Sequence, residues 1–153
     1  MKHRMWVALL MTAVLAGCDS STPELLQTYA HPNGLRLSVS ESCKVRITTA
    51  GFVIEPMDAR QQRNPFVVSV ALLAERPKDN LYRVHYVGSG RILWYSATYP
   101  EPTGMGGPEW EIIAVERVGK HWIEYRERKQ DEWQPRELWK IARELSYAPP
   151  AST

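Results

Sequence analysis

Apolar and polar positions divide this chain into a short N-terminal block of one kind and a long remainder of another. Lys2 and Arg4 precede an uncharged apolar run from Met5 to Ala16, which ends in Leu15-Ala16-Gly17-Cys18. A run of about 12 residues is too short for the roughly 20 that a membrane-spanning helix needs, whereas a basic start and a short apolar centre mark a secretory signal. From Leu35 onward the apolar positions fall into short runs rich in Val, Ile, Tyr and Trp, separated by Gly, Pro and Asn. That is how strands and turns are written.

Leu35, Leu37 and Val39 alternate with Arg36 and Ser38, which predicts a strand with one buried face, and Asn33-Gly34 supplies a turn before it. Val45 to Thr48 and Phe52 to Ile54 flank Thr49-Ala50-Gly51 and read as a hairpin, with Gly51 expected at the positive φ of a short loop. Residues 56 to 65 form a polar connection bounded by prolines, and the nearly continuous apolar run from Phe66 to Leu73 reads as a central strand. Leu81 to Val87 and Arg91 to Thr98 surround Gly88-Ser89-Gly90, while Trp110 to Val118 and His121 to Arg126 surround Gly119-Lys120, giving two more hairpins. Between them Tyr99 to Pro108 carries three prolines and three glycines and reads as a long loop. In the last strand Trp122, Glu124 and Arg126 share one face and His121, Ile123 and Tyr125 the other, so the pattern leaves its buried face open.

Pro135 suits the first turn of a helix, where its missing N–H has no partner to lose, and Glu137 follows where the helix dipole favours an anion. Leu138, Ile141, Ala142 and Leu145 then form one apolar face, with Trp139 at its edge. Tyr147 onward reads as a frayed tail. The whole pattern predicts a β-dominated α+β domain, an antiparallel sheet of about 6–8 strands with a C-terminal helix packed on it.

Leu15-Ala16-Gly17-Cys18 resembles the bacterial lipobox, in which the Cys thiol is diacylated before the peptide ahead of it is removed. The motif has a chemical logic: it needs a nucleophilic sulfur at the new N-terminus and small residues just before it, so that lipid and peptidase reach the backbone. The resemblance implies covalent lipid on Cys18. Each buried CH₂ adds about 0.8 kcal/mol of membrane affinity, so several acyl chains anchor a protein with no spanning helix. The chain is then read as a signal peptide at 1–17, a lipidated Cys and polar tether at 18–30, one periplasmic domain at 31–147 and a flexible tail at 148–153. Asp19 resembles the residue that retains enteric lipoproteins in the inner membrane; other bacteria read other positions, which leaves the outer membrane open.

Cleavage changes the charge picture. The full chain has 19 Lys plus Arg and 17 Asp plus Glu, and loss of Lys2 and Arg4 leaves 17 of each. No Lys/Arg-dense stripe remains to mark a nucleic-acid footprint. Of 153 residues, 136 remain after the 17 of the signal, the size of one ordinary domain. Cys43 is then the single unmodified thiol and reads as a small buried residue.

The candidate chemistry is thin. His31, His85 and His121 survive cleavage, and the chain holds no His-x-x-x-His or Cys-x-x-Cys metal spacing, no Gly-x-Ser-x-Gly turn and no phosphate-cradling Gly loop. The reading is therefore a protein that is not an enzyme and carries no metal of its own. Glu101 and Glu109 flank the Gly-rich loop as a carboxylate pair that glycan cleavage would need at a set separation. Glu109, Glu111, Glu116, Glu124 and Glu127 read as solvated strand positions paired with Arg117, Arg126 or Arg128. The tryptophans read as packing residues. A long, biased loop on a rigid β scaffold is where recognition is commonly placed, which makes Tyr99, Glu101, Met105 and Glu109 the candidate partner contacts.

Taken together, His31-Pro32-Asn33-Gly34-Leu35, Gly51-Phe52-Val53-Ile54, the Gly104 to Trp110 segment and the Trp139 helix resemble the small immunity lipoproteins of bacterial type VI secretion systems. More narrowly, the chain is similar to those that protect the periplasm from muramidase effectors. It departs from them where Met105 and Trp110 stand in place of a small residue and a Tyr. The resemblance implies a membrane-held protein that binds a secreted hydrolase effector and plugs its substrate groove, with any calcium belonging to that partner. Such an interface buries roughly 1,200 to 2,000 Å² in total. The alternative from another class is a structural or assembly lipoprotein of the cell envelope or of a secretion machine.

Overall fold

The structure, a computed structural model, describes residues 25–57, 66–99, 109–130 and 134–150. Its strands are β1 (Leu26–Ala30), β2 (Leu35–Ser40), β3 (Cys43–Ile47), β4 (Gly51–Pro56), β5 (Phe66–Leu73), β6 (Arg83–Val87), β7 (Arg91–Thr98), β8 (Glu109–Val118), β9 (His121–Gln130) and β10 (Leu145–Tyr147). One helix, α1 (Arg136–Glu144), lies between β9 and β10. Seven strands form one antiparallel sheet in the order β3-β4-β5-β9-β8-β7-β6, and β1-β2-β10 form a second. The predicted β-dominated α+β class is the observed one. The second sheet was not legible in the pattern, because it joins segments from opposite ends of the chain.

Each predicted hairpin closes where its turn chemistry allows. Ser89 and Gly90 both take positive φ, 66° and 75°, as a tight turn matching the strand twist requires. Gly51 does not carry the expected positive φ. Its need is spatial instead: a Cβ there would run into the Val70 carbonyl oxygen of the neighbouring β5.

Register sorts the large sheet into two faces. Phe52 and Ile54 on β4, Val68 and Val70 on β5, Ile123 and Tyr125 on β9, Ile112 and Ala114 on β8, and Leu93 on β7 point to one side and are buried. This core is closed by Leu35, Leu37 and Val39 of β2 and by Leu138, Ile141 and Ala142 of α1. Trp122, Glu124 and Arg126 take the other face, where the 74–82 segment crosses from β5 to β6. The Arg76 guanidinium sits 5.5 Å from the Trp122 ring and 5.9 Å from Trp94, and Asp79 lies 3.5 Å from Arg126. Both faces of β9 are thus covered, which is why its pattern was ambiguous.

The ends of the domain differ from expectation. Leu26–Ala30, read as tether, pairs along its whole length with β2. Leu145, read as the last residue of the helix face, is buried but extended, and Tyr147, read as tail, pairs with Leu35 and is half-buried. Backbone pairing with β2 outcompetes another helical turn there, because Leu145 enters the core either way.

The His31-to-Leu35 motif fastens the two sheets together. The His31 ring is 2.8 Å from the Thr48 carbonyl, the Asn33 amide donates to the Ala50 carbonyl at 2.8 Å, and both acceptors lie in the β3–β4 turn. Gly34, at φ 99°, accepts from the Ala148 N–H at 3.0 Å, and any side chain there would strike the Ala148 carbonyl.

Candidate functional site

Tyr99 and Glu109 are the two predicted contact residues within the described part of the chain; Glu101, Met105 and the lipidation candidate Cys18 lie outside it. Thr98 pairs with Glu111 across β7 and β8, so Tyr99 and Glu109 emerge at the same end of the sheet. Tyr99 is 45% exposed, and its ring stands edge-on to Trp110 with centroids 4.9 Å apart. Glu109 is exposed, opposite Gln130. This end of the sheet therefore carries an exposed aromatic ring in edge contact with Trp110 and an exposed carboxylate one residue before Trp110 on β8.

The carboxylates read as solvated divide into two groups. Glu111 and Glu124 keep the arginine pairing but are half-buried rather than solvated, with Glu124 receiving Arg126 at 2.7 Å and Glu111 lying 3.7 Å from both Arg126 and Arg128. Glu116 and Glu127 are buried, 2% and 0% exposed, because both point to the core face of their strands. The Arg91 guanidinium grips Glu116 through two nitrogens and donates to the Leu145 carbonyl at 3.0 Å, while the Tyr125 hydroxyl donates to Glu116 at 2.7 Å. Burial and then the Glu116 charge push the Tyr125 phenol well up, so it stays a neutral donor.

Glu127 sits under the first turn of α1. Neither of its oxygens meets hydrogen-bond geometry among the described residues, although the Lys129 ammonium lies 3.6 Å away. Burial pushes its carboxyl up to about 7, against the opposing pull of Lys129 and of the Leu138 N–H. Lys129 in turn donates to the Gln134 carbonyl just ahead of the helix. These groups join α1 to the sheet. Among the described residues no group of three or more His, Cys, Asp or Glu is arranged to hold a metal ion.

His85 stacks on Trp139 at 3.9 Å and 8°, and Tyr95 meets the same indole edge-on at 5.1 Å. Burial, then the Arg143 charge, lower the basicity of His85, so it serves as a neutral packing ring. Cys43 is half-buried, on the wall of a cleft of about 500 Å³ between β2, β3 and α1. Serines 38, 40 and 42 and the charged Glu137, Lys140, Arg143 and Glu144 share that wall, with no sign of charge prevailing.

A further surface was missed in the sequence. On β6, Val84 and Tyr86 face solvent while His85 and Val87 face the core: Val84 is 48% and Tyr86 72% exposed, flanked by Tyr82 at 63% and, across the hairpin, Ile92 at 37%. The alternation of Tyr82, Val84 and Tyr86 was visible, but nothing in it told which face was inward.

No protein-family model matches this chain, and no curated protein matches it. A crystal structure from Bacteroides thetaiotaomicron is similar with a TM-score of 0.60 at 10% identity, covering 82% of this chain and 50% of that one. This chain thus spans half the length of that protein. The solution structure of PsbP (CyanoP) from the cyanobacterium Synechocystis gives a TM-score of 0.44 at 10% identity, over 88% of this chain and 99% of that one. The Bacteroides likeness is one of fold, and fold does not carry function.

Proposed function

We propose that this chain is a lipid-anchored immunity protein of the bacterial periplasm, which binds a type VI secretion effector that cleaves peptidoglycan and occludes its substrate groove. The location rests on Leu15-Ala16-Gly17-Cys18, whose resemblance to the lipobox implies a membrane anchor. The binding role rests on one observation above the rest: Tyr99, exposed and braced edge-on by Trp110, stands at the end of the sheet beside Glu109. An aromatic ring braced in this way loses little freedom when it enters a partner's groove, and rigid aromatic anchors contribute most of the energy of many interfaces.

The test is capture by the full-length protein in membranes of cells with an active secretion system, followed by a lytic assay on what it retains. A stoichiometric peptidoglycan hydrolase whose activity falls as the protein is added is the expected result. Recovery of envelope assembly proteins alone would overturn the proposal in favour of a scaffold lipoprotein.

A further inference from the structure

One face of the large sheet is closed by α1 and β2; the other is crossed by residues 74–82, which run from β5 to β6 outside any helix or strand. On that outer face Trp94 pairs with Val115, Val115 with Glu124, Ile113 with Arg126 and Arg117 with Trp122, and directly paired side chains point the same way. Val115 is 0% and Ile113 8% exposed, so this part of the outer face is covered. Two contacts hold the crossing segment over it. The Arg76 guanidinium lies 5.5 Å from the Trp122 ring and 5.9 Å from Trp94, and Asp79 lies 3.5 Å from Arg126. Among the described residues no backbone hydrogen bond joins 74–82 to the sheet.

The seat under Arg76 is rigid and its cover is not. Trp94 and Trp122 belong to strands paired on both sides, and their rings stand 6.1 Å apart at 56°, both within reach of one cation. Arg76 is exposed, and the side chains of Asp79 and Arg126 are each about a third exposed, a setting in which ion pairs and cation–π contacts hold weakly. A segment with no backbone ladder and weak side-chain fastenings opens at less cost than the strands beneath it.

We propose that residues 74–82 are a displaceable strap, an autoinhibitory cover that occupies in cis a docking site for a partner segment of like chemistry: a guanidinium for the Trp94–Trp122 pair and, three residues on, a carboxylate for Arg126. The occupant follows from what the seat now holds. A segment that takes the strap's place must satisfy the same two aromatic rings and the same arginine while keeping Val115 and Ile113 dry. It therefore reproduces the spacing of Arg76 and Asp79 with an apolar residue between, where the strap has half-buried Pro77. With no partner present the strap keeps two tryptophans and two aliphatic side chains from forming a wider exposed patch. The inference does not draw on Tyr99, and it stands or falls without an effector.

The experiment follows maleimide labelling of Val115→Cys in the full-length protein, read at that residue by peptide mass spectrometry, with the equally buried core-face position Val68→Cys reporting global unfolding. Residue 115 should label at least about tenfold faster than residue 68, and Arg76→Gln should speed it several-fold further with circular dichroism unchanged. In the Arg76→Gln chain an excess of a synthetic peptide of residues 74–82 should slow the labelling again, and the same peptide carrying Arg76→Gln should not. Ile113→Cys, at a second covered position, repeats the series should Val115→Cys disturb the fold. Equal labelling at 115 and 68, or indifference to Arg76→Gln, would overturn the strap; protection by both peptides or by neither would overturn the docking site.

Discussion

Glu127 and Lys129 lie two residues apart on β9, both on the core face, with carboxylate and ammonium 3.6 Å apart beneath the first turn of α1. Burial raises the Glu127 carboxyl from its ordinary 4.5 to about 7. In that interval the folded chain holds a proton that the unfolded chain has released, so its stability is fullest below pH 4.5 and falls as pH rises toward 7. The loss is on the order of 3 kcal/mol. Thermal unfolding of the protein at pH 5 and pH 8 should show the higher midpoint at pH 5, and Glu127→Gln should remove most of that difference. A difference that survives the substitution would mean that another group carries it.

Arg91 ties three elements together through Glu116, Tyr125 and the Leu145 carbonyl. Arg91→Met leaves the Glu116 charge buried with the Tyr125 hydroxyl as its remaining donor, and should cost about 3 kcal/mol. Replacing Glu116 by Gln in the same chain should recover a substantial part of that loss, because no uncompensated charge remains. Urea denaturation of the two single variants and the double variant measures the coupling; simple additivity would contradict it.

The glycines separate two kinds of constraint. Gly119 takes φ 60° with open space around it, whereas Gly34 takes φ 99° with the Ala148 carbonyl against it. Gly119→Ala should therefore cost about 1 kcal/mol for backbone conformation alone. Gly34→Ala should cost more than about 2 kcal/mol, since it adds a backbone collision at the junction of β2 and β10. Equal losses in denaturant titrations would show that the junction yields.

Tyr99→Ala removes an exposed ring and should leave stability within about 0.5 kcal/mol. Under the proposed function it weakens effector binding by at least about tenfold. Trp110→Ala should weaken binding through loss of the brace while lowering stability as well. Calorimetric titration against the captured hydrolase distinguishes them, and unchanged affinity in Tyr99→Ala would move the interface elsewhere.

Much of the fold could be read from the chain because it is local. Alternation in Leu35-Leu37-Val39, the turn residues at 88–90 and 119–120, and the Leu138-Ile141-Ala142 spacing fixed strands, hairpins and helix from neighbours in sequence. The reading of a signal and of lipid on Cys18 also rests on a linear motif, and it falls outside the described residues. What the chain alone left undecided depends on contacts distant in sequence. Only packing placed Glu116 and Glu127 inside, since a strand's alternation names two faces but not which one meets a helix. Only long-range pairing turned Leu26–Ala30 and Leu145–Tyr147 into a second sheet, through β2. Packing decided the rest: of the two faces of β6, α1 meets the one with His85, through Trp139, and Val84 and Tyr86 are left on the exposed one.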